Sequence, residues 1–308
     1  MKKVKVKIAE AGQRLDKFLA GRLKISRAQA QKIIKGDNII VDEKPVNAHY
    51  LVRAKEYITI HTPKKSTTKV KVDITQTLPK FKLEVVAKTK EYIVVNKPAG
   101  IPVHPDTRYT KGTLIDVVTK KYPEIKKIGE EKNRGGIIHR IDKDVSGLLV
   151  IPRTKKMFDH LKEQFKNRPV TKEYIALVNG ETVLEVGKID FKITRGVTGL
   201  MAARPHSQEG KTALTEYQVI QHFINYTLVK VIIKTGRTHQ IRVHFKSLGH
   251  PLVGDVLYTI RKQKPDKVKL DRIFLHSQTL GFDDLDKERQ EFHADLPKEL
   301  KEYLTKIK

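Results

Sequence analysis

GGIIHRIDKDVSGLLV, residues 135–150, places His139, Arg140, Asp142 and Asp144 directly ahead of an apolar run. Gly147 to Pro152, GLLVIP, reads as an apolar strand that belongs inside a sheet. Ionisable groups at the mouth of such a strand are unusual, because buried charge is expensive unless it is paired or put to work. Arg140 and Asp142 are two residues apart, so on an extended segment both point the same way, with Asp142 at the edge of the core. Two readings fit these residues by themselves. Asp142 and Asp144 cap turns by accepting from backbone amides, or Asp142 is a working carboxylate.

Further strands surround this one. EYIVV (91–95), KEYIALV (172–178), ALTEYQVIQHF (213–223) and YTLVKVIIKT (226–235) are strand candidates, the last two joined as a hairpin at Ile224-Asn225. TKKMFDHLKEQFKN predicts a helix with Thr154 as N-cap and Phe158, Leu161 and Phe165 at helical spacing. THQIRVHFKSLGHP predicts another: Thr238 caps it, Ile241, Phe245 and Leu248 share a face, and Gly249 and Pro251 end it. Helices scattered among hairpins imply an α+β fold with a mixed, mainly antiparallel sheet.

Upstream lies a smaller pattern. RLDKFLAGR (14–22) places Leu15, Phe18 and Leu19 on one helical face. In SRAQAQKIIKG (26–36), Ser26 and Gln29 form a capping box, Ala30, Ile33 and Ile34 an apolar face, and Gly36 a stop. NIIV and YITI follow as short strands, with DEKP (42–45) as a turn. Arg14, Arg22, Lys24, Arg27, Lys32 and Lys35 lie on or beside the two helices, which implies one basic face. Residues 62–79 are rich in Thr, Lys and Pro and read as a linker. The expected organisation is therefore a module over 1–61, a linker over 62–79 and a larger domain over 80–308.

Composition narrows the chemistry. Across 308 residues, 39% are hydrophobic, enough for a real core, and no apolar run nears the ~20 residues that span a bilayer. The N-terminus lacks the apolar block of a signal peptide, and cysteine is absent, so disulfides, thiol catalysis and cysteine zinc sites are excluded. A soluble, cytoplasmic protein without a membrane partner is the default such features select. Lys and Arg total 62 against 35 acidic residues, a net +27, and such an excess attracts polyanions such as nucleic acid.

Motif tests remove other chemistries. Asp142, Asp144, Ser146 and Gly147 open like a calcium loop, but Arg153 stands where the closing Glu is required. His239, His244 and His250 are spaced by five and six, which does not bring imidazoles onto one helical face as four would. No Gly-Lys-Ser or Gly-Lys-Thr phosphate loop is present. Neither a metal nor a cofactor is expected. Taken singly, Tyr174 reads as a half-buried strand tyrosine, Arg242 as a helix surface charge, and His139 as a structural loop residue.

HRIDKDVSGLLV closely resembles the signature of the RluA-type pseudouridine synthases, written His-Arg-Leu-Asp followed by a Thr-Ser-Gly turn. NKPAGIPVHP (96–105), KEYIALVNG (172–180), GRTHQIRVHFKSLGHPLVGDVLY (236–258) and the weaker FLHSQTLGF (274–282) resemble further blocks of that family, in its order. Residues 14–60 resemble the S4 RNA-binding domain, with Ala54-Lys55-Glu56 where that family has a Gly-Asp turn. The resemblance implies the pseudouridine synthase fold with a small S4-like domain, Arg14, Ser26, Arg27, Lys32 and Lys35 contributing to RNA binding.

It also implies roles. Asp142 matches the catalytic aspartate, Arg140 the arginine that fills the space vacated by the target uridine, Tyr174 the tyrosine lying against the flipped base, and Arg242 the arginine paired with the catalytic carboxylate. Tyr174 would also offer a hydroxyl near the C5 proton, as a late-stage base. The implied reaction breaks the N1–C1′ bond of uridine, turns the base and rejoins it through C5, without ATP or metal. Whether Asp142 attacks the sugar or removes its 2′ proton stays open. The implied partner is RNA, ribosomal before transfer RNA, with the protein acting as a monomer; a non-catalytic ribosome-assembly factor is the alternative. Val145 for the usual Thr, Thr259 for a Gly and Ser277 for the commoner Ala depart from the pattern.

Overall fold

The computed structural model describes residues 2–35, 39–60, 81–106, 109–130, 135–182, 184–196, 199–205, 209–260 and 268–307. The chain divides into two compact units, Met1–Asp73 and Ile74–Lys308. The expected linker, 62–79, and the expected helix stop at Gly36 lie outside the described residues.

The first unit contains β1 (Lys2–Lys5), α1 (Leu15–Leu23), α2 (Arg27–Lys35), β2 (Ile39–Val41), β3 (Lys44–Pro45) and β4 (Tyr57–Ile60). Among the described residues its strands pair antiparallel in the order β1-β4-β2-β3. Leu15, Phe18 and Leu19 of α1 and Ala30 and Ile34 of α2 bury against Ile39, Val41, Ile58 and Ile60, as the helical spacing requires. The capping box forms: Ser26 Oγ accepts from Gln29 N at 3.2 Å, and Gln29 Oε1 accepts from Ser26 N at 2.8 Å. DEKP is only half a turn. Asp42 and Glu43 make it, both with positive φ as a two-residue hairpin requires, while Lys44 and Pro45 already pair with β2. The Ala54-Lys55-Glu56 turn works without glycine: Lys55 takes φ 71°, its N–H donates to Val6, and Glu56 folds back onto Arg53 N at 2.8 Å.

The second unit runs β5 (Glu84–Lys88), β6 (Tyr92–Lys97), α3 (Leu114–Lys121), β7 (Ser146–Pro152), α4 (Lys155–Asn167), β8 (Thr171–Asn179), β9 (Val186–Ile189), β10 (Lys192–Arg195), β11 (Met201–Arg204), β12 (Thr215–Phe223), β13 (Tyr226–Ile233), α5 (Gln240–Ser247), β14 (Leu275–Asp283), β15 (Arg289–His293) and α6 (Lys298–Lys306). Nine described strands form one sheet in the order β5-β6-β7-β14-β8-β13-β12-β9, with β15 on β14; β10 and β11 form a separate hairpin. Alternation along each strand sorts side chains to two faces. Tyr174, Ala176 and Val178 of β8 join α3 and α5 on one face. Ile175 and Leu177 turn to the other, where α6 packs, and α4 covers the β6–β7 end of that same side. The α+β, mainly antiparallel expectation holds.

The single parallel pairing described in this sheet, β7 with β14, lasts only two residues, Ser146 and Gly147 against His276 and Ser277. Gly147 has φ 122°, and a Cβ there would lie 2.2 Å from the Ser277 carbonyl oxygen, so no side chain fits this crossing. Beyond it the strands part. His139 fills the gap, its Nε2 accepting from Val150 N at 3.0 Å and its ring stacking on Phe165. Burial pulls the imidazole down to about 3, so it is neutral and can accept there. Its reading as a structural loop residue fits this placement.

Helix α5 differs from expectation at both ends. Thr238 does not cap it; the helix starts at Gln240, after His239 in the left-handed region (φ 56°). The buried Gln240 side chain does the anchoring instead. Its Oε1 accepts from Thr235 Oγ1 and Arg237 N, and its Nε2 donates to Leu214 O and Thr215 Oγ1. Leu248 is exposed rather than sharing the buried face of Ile241 and Phe245. Gly249, with φ 86°, ends the helix as predicted.

Replacing Gly147 by Ala forces the β7–β14 crossing apart. Denaturant melts are expected to show the second unit destabilised by more than ~3 kcal/mol.

Candidate active site

Arg242 projects from the first turn of α5 and is only 5% exposed. Its Nε and Nη2 donate to the two oxygens of Asp255 at 2.7 and 2.9 Å, a forked ion pair. Asp255 is itself fixed, since its Oδ1 also accepts from the backbone N–H groups of Leu257 and Tyr258. The Tyr258 ring lies 4.9 Å from the guanidinium carbon. Burial alone would lower the pKa of Arg242, but Asp255 and Asp142 overcome that and raise it, so the guanidinium stays charged. One nitrogen remains to point outward. Arg242 Nη1 donates to Asp142 Oδ2 at 3.0 Å.

Asp142 is held from its own side of the cleft as well. Lys97, fully buried at the end of β6, donates to the carbonyls of Pro98, Ile101 and Lys143 at 2.8, 2.9 and 3.0 Å. This ties the NKPAGIPVHP loop to the residue after Asp142, and burial pulls the Lys97 ammonium down to about 7. At the other end, Ser146 Oγ accepts from Arg272 at 2.7 Å and donates to His276 Nδ1 at 2.8 Å, while His276 Nε2 donates to Ala294 O. Burial pulls His276 down to about 4, which keeps the ring neutral for that arrangement. Val145, which lacks the hydroxyl of the family's Thr, is buried among Ile141 and Tyr174, so apolar packing holds the turn instead.

The four expected site residues converge. Arg140, Asp142, Tyr174 and Arg242 line one open cleft, together with His239 and Leu275. Tyr174 lies buried along its wall, opposite Ser277 in the β8–β14 pairing, the residue standing where the family has Ala. Burial pushes its phenol up to about 12, with Asp142 adding to the rise. A group that stays protonated to such a pH is poorly suited to act as a base. Arg140 stands exposed at the mouth, its Nη1 donating to His104 Nε2 at 3.2 Å. Asp144 lines a different cavity, beside Ala99, Gly100 and Arg272.

In the first unit, Arg14 and Arg27 both donate to the buried carboxylate of Asp16, which also accepts from Gln31 at 2.6 Å. Burial alone would raise the Asp16 carboxyl, but bonds from Arg14, Gln31 and Arg27 outweigh it and hold it well below the usual range. The two arginine side chains remain 35% and 54% exposed. Ser26 is committed to its capping box, and the side chains of Lys32 and Lys35 lie outside the described residues.

Sequence reasoning missed Asp255, His239 and Tyr258 as site residues. Asp255 and Tyr258 stood within the quoted 236–258 block, but no periodicity links residue 242 to a carboxylate thirteen positions on.

Residues 91–247 match the RNA pseudouridylate synthase family and residues 13–57 match the S4 domain. The chain belongs to the RNA pseudouridylate synthase family. As such it is an isomerase that converts uridine to pseudouridine in RNA. It is 33% identical to "Uncharacterized RNA pseudouridine synthase YlyB" of Bacillus subtilis, over 97% of this chain and 95% of that protein. It is 32% identical to "Ribosomal large subunit pseudouridine synthase D" of Yersinia pestis, over 97% and 92%. The solved structure of "Human RNA Pseudouridylate Synthase Domain Containing 1" superposes with a TM-score of 0.58 at 28% identity, covering 70% of this chain and 84% of that one. Among the described residues, no helix is long and apolar enough to cross a membrane.

Two outcomes follow from the buried charges. Arg242→Lys keeps a cation but cannot fork across Asp255 while reaching Asp142, so single-turnover rates on RNA should fall about 100-fold with the fold intact. Because the native Asp16 carboxyl is depressed, its stabilising contribution is complete above about pH 4 and is lost as pH falls toward the native value. Acid melts of Asp16→Asn should lack that part of the pH dependence.

Proposed function

We propose that this chain makes pseudouridine in large-subunit ribosomal RNA, with Asp142 as the catalytic carboxylate, Arg242 as its counter-ion, Tyr174 as the surface against the uracil and Arg140 as the group that replaces it in the stack. The observation that carries this reading is the 3.0 Å ion pair between Arg242 and Asp142 in an open cleft shared with Arg140 and Tyr174. The large-subunit name of the Yersinia pestis relative and the net charge of +27 support ribosomal RNA as the substrate. In this reading the protein is a cytoplasmic monomer needing no cofactor, organised as an S4-like module over 1–61, a linker and a catalytic domain from residue 80.

Each role has a physical reason. A stacked uridine hides its glycosidic bond, so it must swing out at a cost of a few kcal/mol. Arg140, planar and exposed beside the cleft, offsets part of that by stacking in the vacated space and contacting phosphate. Tyr174 gives the extruded uracil an apolar face. Asp142 then meets the ribose, with its carboxylate fixed in direction by Arg242 and by the Lys97 and Ser146 anchors on its loop. The S4-like module adds affinity through its basic residues, Arg14, Arg27, Lys32 and Lys35, where counterion release rewards each phosphate contact.

The test is Asp142→Asn. It should fold, bind RNA as the parent protein does and leave uridine unmodified, read by carbodiimide-dependent primer-extension stops; turnover retained in that variant overturns the assignment. Comparing pseudouridine maps of RNA from cells with and without the gene should show a site lost from large-subunit ribosomal RNA. Loss confined to transfer RNA overturns the target.

A further inference from the structure

His239 is the other polar group facing Asp142. Its backbone is left-handed at φ 56° and ψ 24°, a conformation a non-glycine residue holds only where its surroundings enforce it, and often at functional sites. The side chain makes no helix cap. It turns into the cleft instead, with Nε2 3.8 Å from Asp142 Oδ2, too far for a hydrogen bond. The other ring nitrogen is fully engaged: Nδ1 lies 2.6 Å from the Tyr258 hydroxyl. That hydroxyl already accepts from Met201 N at 3.2 Å, so donating its own proton to Nδ1 completes its bonding. An Nδ1 that accepts leaves the ring proton on Nε2. In that arrangement an N–H donor points into the cleft beside the carboxylate.

We propose that His239 is a catalytic residue of the isomerisation, donating a hydrogen bond from Nε2 to the uracil as the N1–C1′ bond breaks. This rests on the reading of Asp142 as the catalytic carboxylate. When that bond breaks, its electron pair goes to N1, and the charge spreads over N1 and the two carbonyl oxygens of the base. A preplaced donor in a half-buried cleft lowers the energy of that anion more than of the bound uridine, which is what accelerates a step. The donor keeps its proton, so no proton has to be returned to His239. The charged and titratable groups facing it are Asp142, Arg242, Asp255, Arg140 and Tyr258. Burial is the largest influence on the ring and lowers its pKa, which favours the neutral form.

The test uses the full chain with ribosomal RNA from cells lacking the gene as substrate. His239→Asn is the informative variant, because Asn tolerates the left-handed backbone and can still accept from Tyr258, but carries no group at the Nε2 position. It should lose about 100-fold in kcat with KM nearly unchanged. His239→Gln, which returns an amide N–H near that position, should recover roughly tenfold of the loss. A kcat for His239→Asn equal to the parent's, or a loss carried by KM alone, overturns the proposal. If His239→Asn fails to fold by circular dichroism, Tyr258→Phe decides. Without the hydroxyl that holds Nδ1 as acceptor, the ring proton divides between the two nitrogens and kcat should fall several-fold at unchanged KM; a kcat equal to the parent's overturns the proposal. Asp142→Asn run in parallel separates the two failures, since activity there sinks the site reading, whereas an inactive Asp142→Asn beside a fully active His239→Asn sinks only the role of His239.

Discussion

One guanidinium shared between two carboxylates organises the catalytic unit. Arg242 gives two of its nitrogens to Asp255 and a third to Asp142, and the two acids have different jobs because their surroundings differ. Asp255 is buried and already accepts two backbone N–H groups, so it serves as a fixed mooring. Asp142 keeps part of its surface in the cleft, so it can meet a substrate. Burying a lone arginine would be prohibitive; burying one with a forked partner is tolerable, and the partner then dictates where the remaining nitrogen points.

The rest of the unit can be understood as support for the geometry of Asp142. Its loop enters the sheet at the closest backbone crossing, Gly147 against Ser277, and is tied by Lys97 on one side and Ser146 on the other. These contacts come from β6, the 272–276 segment and the end of β15, elements far apart in the chain. The sheet brings their ends to one place, and a carboxylate set on such a frame cannot drift by the ångström that catalysis would notice.

How much of this was legible depends on the range of the interaction. Helices α1, α2 and α4 and the β12–β13 hairpin follow from local spacing, capping residues and turn chemistry, so they were readable from residues such as Ser26, Thr154 and Asn225. The start of α5 was misread because a glutamine bonded to distant strands replaced the local Thr238 cap. Arg242, taken alone, looked like a surface charge; only the family resemblance marked it, since burial on both sides of a helix leaves no amphipathic trace. Asp255 and Tyr258 were silent because they lie in the irregular segment beyond α5, where no periodicity ties them to Arg242. The DEKP segment shows the opposite case, where Pro45 suggested a loop yet fits a strand of only two residues.

The two-residue parallel contact between β7 and β14 has a bearing on the life of the chain. Ser146 meets His276 across 130 positions, and His276 is itself held by Ala294. Neither anchor of this kind exists while the polypeptide is still emerging from the ribosome, because the partner has not been made. Local hairpins can form early, but such distant pairings come last. The nascent protein therefore passes through synthesis with the Ser146 end of its carboxylate loop unbraced, and that brace arrives only with the final strands.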